Sequence, residues 1–303
     1  MNQAIRPSRK AFILYMLPGF ILYTFIVFVP IVLAFYYGFF DWSGGTKMNY
    51  IGLDNFIALA KDDVFIQSFV NNIYLTVLCI VGQIGFAFLF AILLNTRGVR
   101  FKAFHRTMSY FPSVLSAVVI GFIWTMLYDY NYGLINIFLK QIGKAEWIQP
   151  WLNNESLALT LVAIPLIWQY IGYYMIIILS ALASIDPQVL EMAEIDGANG
   201  WKKAIHITLP LVKNTLIVCV TLCIAGTMKV FDHIYVMTGG GPGTSSNVMA
   251  LNAYKTSFLS YKMGYGSAMS IGILILSLIF IAGTRWLLLS FTKDKSSGRM
   301  SSR

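Results

Sequence analysis

The sequence predicts an all-α, polytopic membrane protein with six transmembrane helices. Of its 303 residues 57% are hydrophobic and only 12% are charged, and its mean hydropathy is positive, which is too apolar for an ordinary soluble domain. Apolar runs near 12–39, 72–95, 108–128, 158–183, 213–237 and 264–290 each reach the roughly 20 residues that a helix needs to cross a bilayer. Basic residues recur on alternate connections, the pattern that sets membrane orientation.

Taken in order, the chain opens with an arm, 1–11, carrying Arg6, Arg9 and Lys10. The apolar run behind it is longer than a secretory core and has no small-residue cleavage site, so it reads as a retained helix. The connection after the second run carries Arg97, Arg100, Lys102 and Arg106, and the tail, 291–303, carries Lys293, Lys295, Arg299 and Arg303. Connections on the opposite side mix signs: Lys47 and Lys61 with Asp41, Asp54, Asp62 and Asp63, then Lys140 and Lys144 with Asp129, Glu146 and Glu155. Both termini are therefore expected in the cytoplasm. The net charge of +9 reads as membrane topology, with no nucleic-acid surface implied. The six-helix region spans 12–290 and includes a long cytoplasmic loop, 184–212.

Chemistry-bearing motifs are missing from the small polar segments. No phosphate-binding G-x-x-x-x-G-K-[ST] occurs, and the "TGGGPG" from Thr238 to Gly243 lacks the lysine and reads as a turn. His105, His206 and His233 are scattered, while Cys79, Cys219 and Cys223 lie in apolar runs, where small hydrophobes are the better reading. No G-x-S-x-G turn is present. No catalytic residue, metal site or cofactor of the chain's own is expected.

The long loop, "DPQVLEMAEIDGANGWKKAIHITLP", is acidic on the basic side of the membrane. Asp186 can cap a helix whose first turn holds Pro187, and the helix should run to about Ile195. Gln188, Glu191 and Glu194 share one face, with Val189, Met192 and Ala193 on the apolar side. Asp196 and Gly197 break it, glycine supplying the left-handed backbone. A second short helix follows, with Trp201, Ala204, Ile205 and Thr208 on one side and Lys202, Lys203 and His206 on another. Pro210 closes that turn. A solvated connecting loop is the plainer reading, but a median connection has about 4 to 6 residues, and capped helices with a glycine hinge favour a surface gripped by a partner.

Glu191, Ala193, Asp196, Gly197, Ala198, Ile207, Leu209 and Pro210 resemble the E-A-A, three residues, G, nine residues, I-x-L-P loop of binding-protein-dependent ABC importer permeases, with Met192 in place of the first alanine. "IGLDNF" at Ile51, "GLIN" at Gly133 and "KVFDHIYVMTGGGP" at Lys229 resemble the sugar-importing branch, nearer in length to glycerol-phosphate and multiple-sugar permeases than to the maltose subunit. The resemblance implies a type I ABC importer permease fold in a bacterial or archaeal cytoplasmic membrane. It implies as partners a second permease, an ABC ATPase dimer holding ATP and Mg, an extracytoplasmic solute-binding protein and a sugar. Glu191 would meet the ATPase through charge-assisted hydrogen bonds, Gly197 would set the lever angle, and Met192, Ala193, Ile195 and Trp201 would fill a groove.

The sugar path is read from two sources. Pro165, Gln169, Gly172 and Tyr173 share a helix face with Tyr170 adjacent, and Thr227 lies near Lys229 and Asp232. The resemblance places pocket positions at Tyr170, Tyr173, Cys223, Thr227 and Val230; interhelix packing is the competing reading for each. Lys229 and Asp232, three apart in an apolar run, could pair within a helix, which opens an alternative: an ion-coupled secondary transporter using Asp232. A scaffold without transport is a third class.

Overall fold

The computed structural model describes residues 9–96 and 98–297. Arg6, Arg97, Arg299 and Arg303 of the predicted basic side lie outside the described residues. The chain divides into two compact units, Met1–Asp62 with Ala253–Leu274, and Asp63–Asn252 with Ile275–Arg303.

In the first unit, helix α1 (Lys10–Tyr37) matches the first predicted span. Phe12, Leu14, Phe20 and Phe25 are exposed on it, as expected of a helix whose apolar surface faces lipid or another chain. A short ladder follows, β1 (Phe40–Trp42) antiparallel to β2 (Met48–Tyr50), an addition to the predicted all-α architecture. Gly44, at φ +92°, makes the turn, and Trp42 Nε1 donates to Gly45 O at 2.7 Å. Helix α2 (Asp54–Leu59) buries Asn55, whose Nδ2 donates to the carbonyls of Gly38 (2.9 Å) and Phe40 (3.0 Å). The asparagine of "IGLDNF" thus satisfies the backbone where α1 ends. Tyr265 OH donates to Asp62 Oδ2 at 2.6 Å.

In the second unit, α3 (Asp63–Asn95), the pair α4 (Lys102–Val114) and α5 (Ala117–Leu127), α6 (Leu134–Gln141) and α7 (Ala158–Ala183) precede the cytoplasmic loop. The loop holds α8 (Pro187–Ile195) and α9 (Gly200–Leu211). Beyond it come α10 (Lys213–Thr227) and α11 (Asp232–Met237); α12 (Met249–Tyr254) and α13 (Met263–Ser297) run across the boundary between the units.

Among the described residues four helices are long and apolar enough to span: α1, α3, α7 and, over Met263–Ser290, α13. Six spans result when each bent pair counts as one. The third predicted span is therefore not continuous: α4 and α5 meet at 95°, because Pro112 tightens the end of α4 and the extended Leu115 and Ser116 follow. The fifth ends early, at Thr227, and residues 228–231 interrupt it before α11. The second begins earlier than predicted, since Ser68, Asn71 and Asn72, which depress its hydropathy, are buried against protein.

Side chains repair the backbone at several of these irregularities, as a water-poor membrane interior requires. Gln169 Nε2 donates to Leu115 O in the α4–α5 break at 3.0 Å. Pro165 inside α7 cannot donate to Leu161 O, and Tyr128 OH does so instead at 3.4 Å. Gln83 Nε2 donates to Leu166 O at 3.0 Å. Close approach also needs small residues: a Cβ on Gly82 would stand 2.7 Å from Ile167 Cδ1, and one on Gly172 would collide with the backbone of Ser109 and Tyr110.

Candidate functional site

The cytoplasmic loop folds as its local chemistry dictates. Asp186 has extended backbone angles and accepts from Gln188 N at 2.9 Å, with Pro187 in the first turn of α8. At the other end Gly197 takes φ +81°, its N–H donates to Glu194 O at 3.0 Å, and Ala198 N donates to Ala193 O at 2.9 Å. Those two bonds form a Schellman motif and satisfy the carbonyls that the helix leaves open. The second helix runs further than predicted. Pro210 lies inside it, and the chain breaks only at Val212, where α9 and α10 meet at 76°. Pro210 cannot close a normal turn, and a wide turn over Ala204–Thr208 precedes it, with Leu209 N reaching Ala204 O.

A cleft of about 450 Å³ lies between the end of α3 and the two loop helices. Leu89, Ile92 and Leu190 give it apolar walls, and Glu191, Glu194 and Trp201 bring polarity and an aromatic face. Lys203 Nζ bridges to Glu194 Oε1 at 2.7 Å and ties α8 to α9. The predicted faces are modified on both helices: Ala193 is buried within the chain, so it cannot fill a partner's groove, whereas Met192 (57%), Ile195 (84%) and Trp201 (58%) are exposed. Ala204 and Thr208 are buried while Ile205 is exposed. Asp196 is exposed at the turn, Ile207 and Leu209 are half-buried, and Pro210 is exposed.

The residues expected along the sugar path are not used alike. Tyr170 and Tyr173 are half-buried and meet edge to face, ring centroids 6.5 Å apart. Gln169 is buried with its amide nitrogen on Leu115 O, and its Oε1 has no protein partner. Thr227 is buried, Oγ1 2.7 Å from Thr76 Oγ1 and donating to Cys223 O at 2.9 Å. That hydroxyl therefore has partners on two helices. Thr227→Val keeps the volume and removes the bond to Thr76, whose hydroxyl still has Asn72 O at 2.7 Å, so the change is expected to cost about 0.5–1.5 kcal/mol. A lower melting temperature with unaltered substrate range would be the signature. Cys223 Sγ donates to Gln83 Oε1 at 3.5 Å.

Lys229 and Asp232 do not form the predicted intrahelical pair. Both are exposed, α10 has ended before them, and among the described residues no ion pair joins them. Their three-residue spacing brings side chains together only inside a continuous helix.

Sequence reasoning missed the polar face of α3. Ser68, Asn72 and Thr76 recur at four-residue spacing, with Asn71 and Gln83 beside them, and all are buried. That periodicity was a readable signal, since polar side chains kept on one face of an apolar helix mark a protein-facing side.

Comparison with known proteins places these features in a family. Residues 83–291 match the family described as "Binding-protein-dependent transport system inner membrane component". The chain is 34% identical over 277 residues to a probable ABC transporter permease protein of Pyrococcus horikoshii, covering 91% of this chain and 94% of that one. It is 30% identical over 260 residues to a probable starch degradation products transport system permease protein of Thermoanaerobacterium thermosulfurigenes, covering 85% and 87%. A solved chain of a bacterial ABC transporter involved in the import of alginate superposes with a TM-score of 0.80 over 94% of this chain and 97% of that one, at 21% identity, a likeness of fold. The chain belongs to the family of binding-protein-dependent transport system inner membrane components.

Proposed function

We propose that the chain is one permease subunit of an ATP-driven importer, translocating a sugar or oligosaccharide that an extracytoplasmic binding protein delivers. The observation that carries the reading is the loop. A capped helix and a second helix, joined by a left-handed glycine, present Met192, Ile195 and Trp201 outward from a chain of this family. A second permease completes the pore, and an ATPase dimer with its ATP and Mg grips the loop, so its closure moves the attached helices as rigid bodies. Relatives named for starch degradation products and alginate support a carbohydrate cargo.

The alternative, an ion-coupled transporter using Asp232, loses its support from the family match and from the unpaired geometry of Lys229 and Asp232. Uptake of radiolabelled malto-oligosaccharides and alginate oligosaccharides into vesicles separates the two. The importer reading expects uptake to stop on ATP depletion and to survive collapse of ion gradients, and the reverse result would overturn it. Tyr173→Ala should change uptake or substrate range while the complex still assembles and hydrolyses ATP; unchanged kinetics would assign Tyr173 to packing.

Orientation belongs to the same proposal: cytoplasmic membrane, with both termini inside. Cysteines introduced at Lys47, Lys140 and Lys255 should label from outside intact cells, and those at Lys102 and Lys202 should stay protected. External labelling at Lys202 would invert the topology and remove the ATPase contact.

A further inference from the structure

Asn71 and Asn72 stand side by side on α3, 5% and 0% exposed. Asn72 Nδ2 donates to the carbonyl of Thr227, the last residue of α10, at 2.8 Å, and its Oδ1 accepts from the N–H of Met249, the first residue of α12, at 2.9 Å. One carboxamide therefore holds both ends of segment 228–248, although its partners lie far along the chain. Asn71 Nδ2 reaches the carbonyls of Thr244 (3.3 Å), Ser245 (3.2 Å) and Asn247 (2.8 Å), and its Oδ1 accepts from Gln67 Nε2 at 3.0 Å. Ser68 Oγ accepts from Asn247 Nδ2 at 3.2 Å, and Thr76 Oγ1 pairs with Thr227 Oγ1 at 2.7 Å.

A broken helix inside a membrane protein leaves backbone groups that water does not reach. A neutral carboxamide offers a donor and an acceptor together in a short fixed fork without carrying a titratable proton; ionised Asp lacks the donor, and Leu lacks both. Linked buried hydrogen bonds of this kind reinforce one another and specify one arrangement. We propose that Asn71 and Asn72 are positioning residues that clamp segment 228–248 to α3, so that the break after α10, with Lys229 and Asp232, travels with α3 as one body during transport. The last clause rests on the reading of the chain as a transport subunit; the clamp itself does not.

Spin labels at Val70, exposed on α3, and at Lys229, exposed beyond the break, report on the clamp. They are placed in the assembled transporter in lipid nanodiscs, in a Cys79→Ala, Cys219→Ala, Cys223→Ala background. The expected parent result is one narrow distance, the same without nucleotide and with ATP and vanadate. Asn72→Leu should make the nucleotide-free distribution about twofold broader, as a locally released segment does, while a control pair at Val81 and Ile164 stays narrow. Where Asn72→Leu does not assemble, Asn71→Leu removes the bonds to the Thr244, Ser245 and Asn247 carbonyls and should broaden the same distribution. An unchanged width in the variant that assembles, or a parent distance that shifts with nucleotide, overturns the proposal. A parent in which nucleotide moves no label pair anywhere in the complex counts against the transport reading, and the nucleotide-free widths still decide the clamp.

Discussion

Glu191→Ala is expected to cut recovery of the partner ATPase with the purified complex by about tenfold or more, while the chain still inserts in the membrane. Truncating one member of a buried, hydrogen-bonded charge pair costs about 2–5 kcal/mol, and each 1.4 kcal/mol or so is a factor of ten in affinity. Glu191 is exposed on the wall of the cleft, one residue from the exposed Met192. Gly197→Val makes the contrasting case. Nothing lies within 4 Å of an added Cβ there, so the cost is conformational: φ +81° disfavours any L side chain by about 1–2 kcal/mol, and a β-branched one by more. The ATPase should stay bound, while stimulation of hydrolysis by loaded binding protein should fall. Co-purification, stimulated hydrolysis and uptake measured in one membrane preparation distinguish these outcomes. Wild-type values for both variants would remove the loop from the coupling mechanism.

Gly172→Ala should lower both the recovery and the melting temperature of the folded complex, although it adds one methyl group to a helix. The added Cβ would overlap the Ser109 carbonyl and the Tyr110 nitrogen, backbone atoms of α4 that no rotamer change can move. α4 and α7 would have to separate, at a cost of about 1–3 kcal/mol or more for overpacking, and the Gln169 bond to Leu115 O lies one turn away. Gly226→Ala is the matched control: this glycine lies inside α10 with open space around it. Alanine there should be neutral or stabilising by up to about 1 kcal/mol. Thermal stability in detergent reads both, and a wild-type melting temperature for Gly172→Ala would show that α4 and α7 do not meet as closely as described.

Local signals in the chain were fully legible. Asp186 and Pro187 start α8, Gly197 ends it, and Ala158 to Ala183 forms a helix over the whole predicted run. Each depends on residues within a few positions of one another, on capping, backbone sterics or apolar length. Those forces act before any tertiary contact exists. The same locality made the Glu191–Gly197 pattern readable as a lever and as a family mark.

What remained hidden was how the apolar runs break and what mends the breaks. Hydropathy averages over a span and cannot separate a continuous helix from two short ones meeting at 95°, so the third and fifth runs read as unbroken. The bonds that Gln169 and Thr227 make between helices, and the place of Lys229 and Asp232 past a helix end, lay equally beyond its reach. Asn72 finds Thr227 and Met249 across separations of 155 and 177 residues. The sequence alone determined the membrane solvent, the helical spans and the capped loop, because these follow from apolar length and from neighbours along the chain. Only the tertiary structure decided where the spans break and which polar side chains close them, because an unpaired backbone group in a water-poor interior takes whatever partner the packing brings within hydrogen-bond reach.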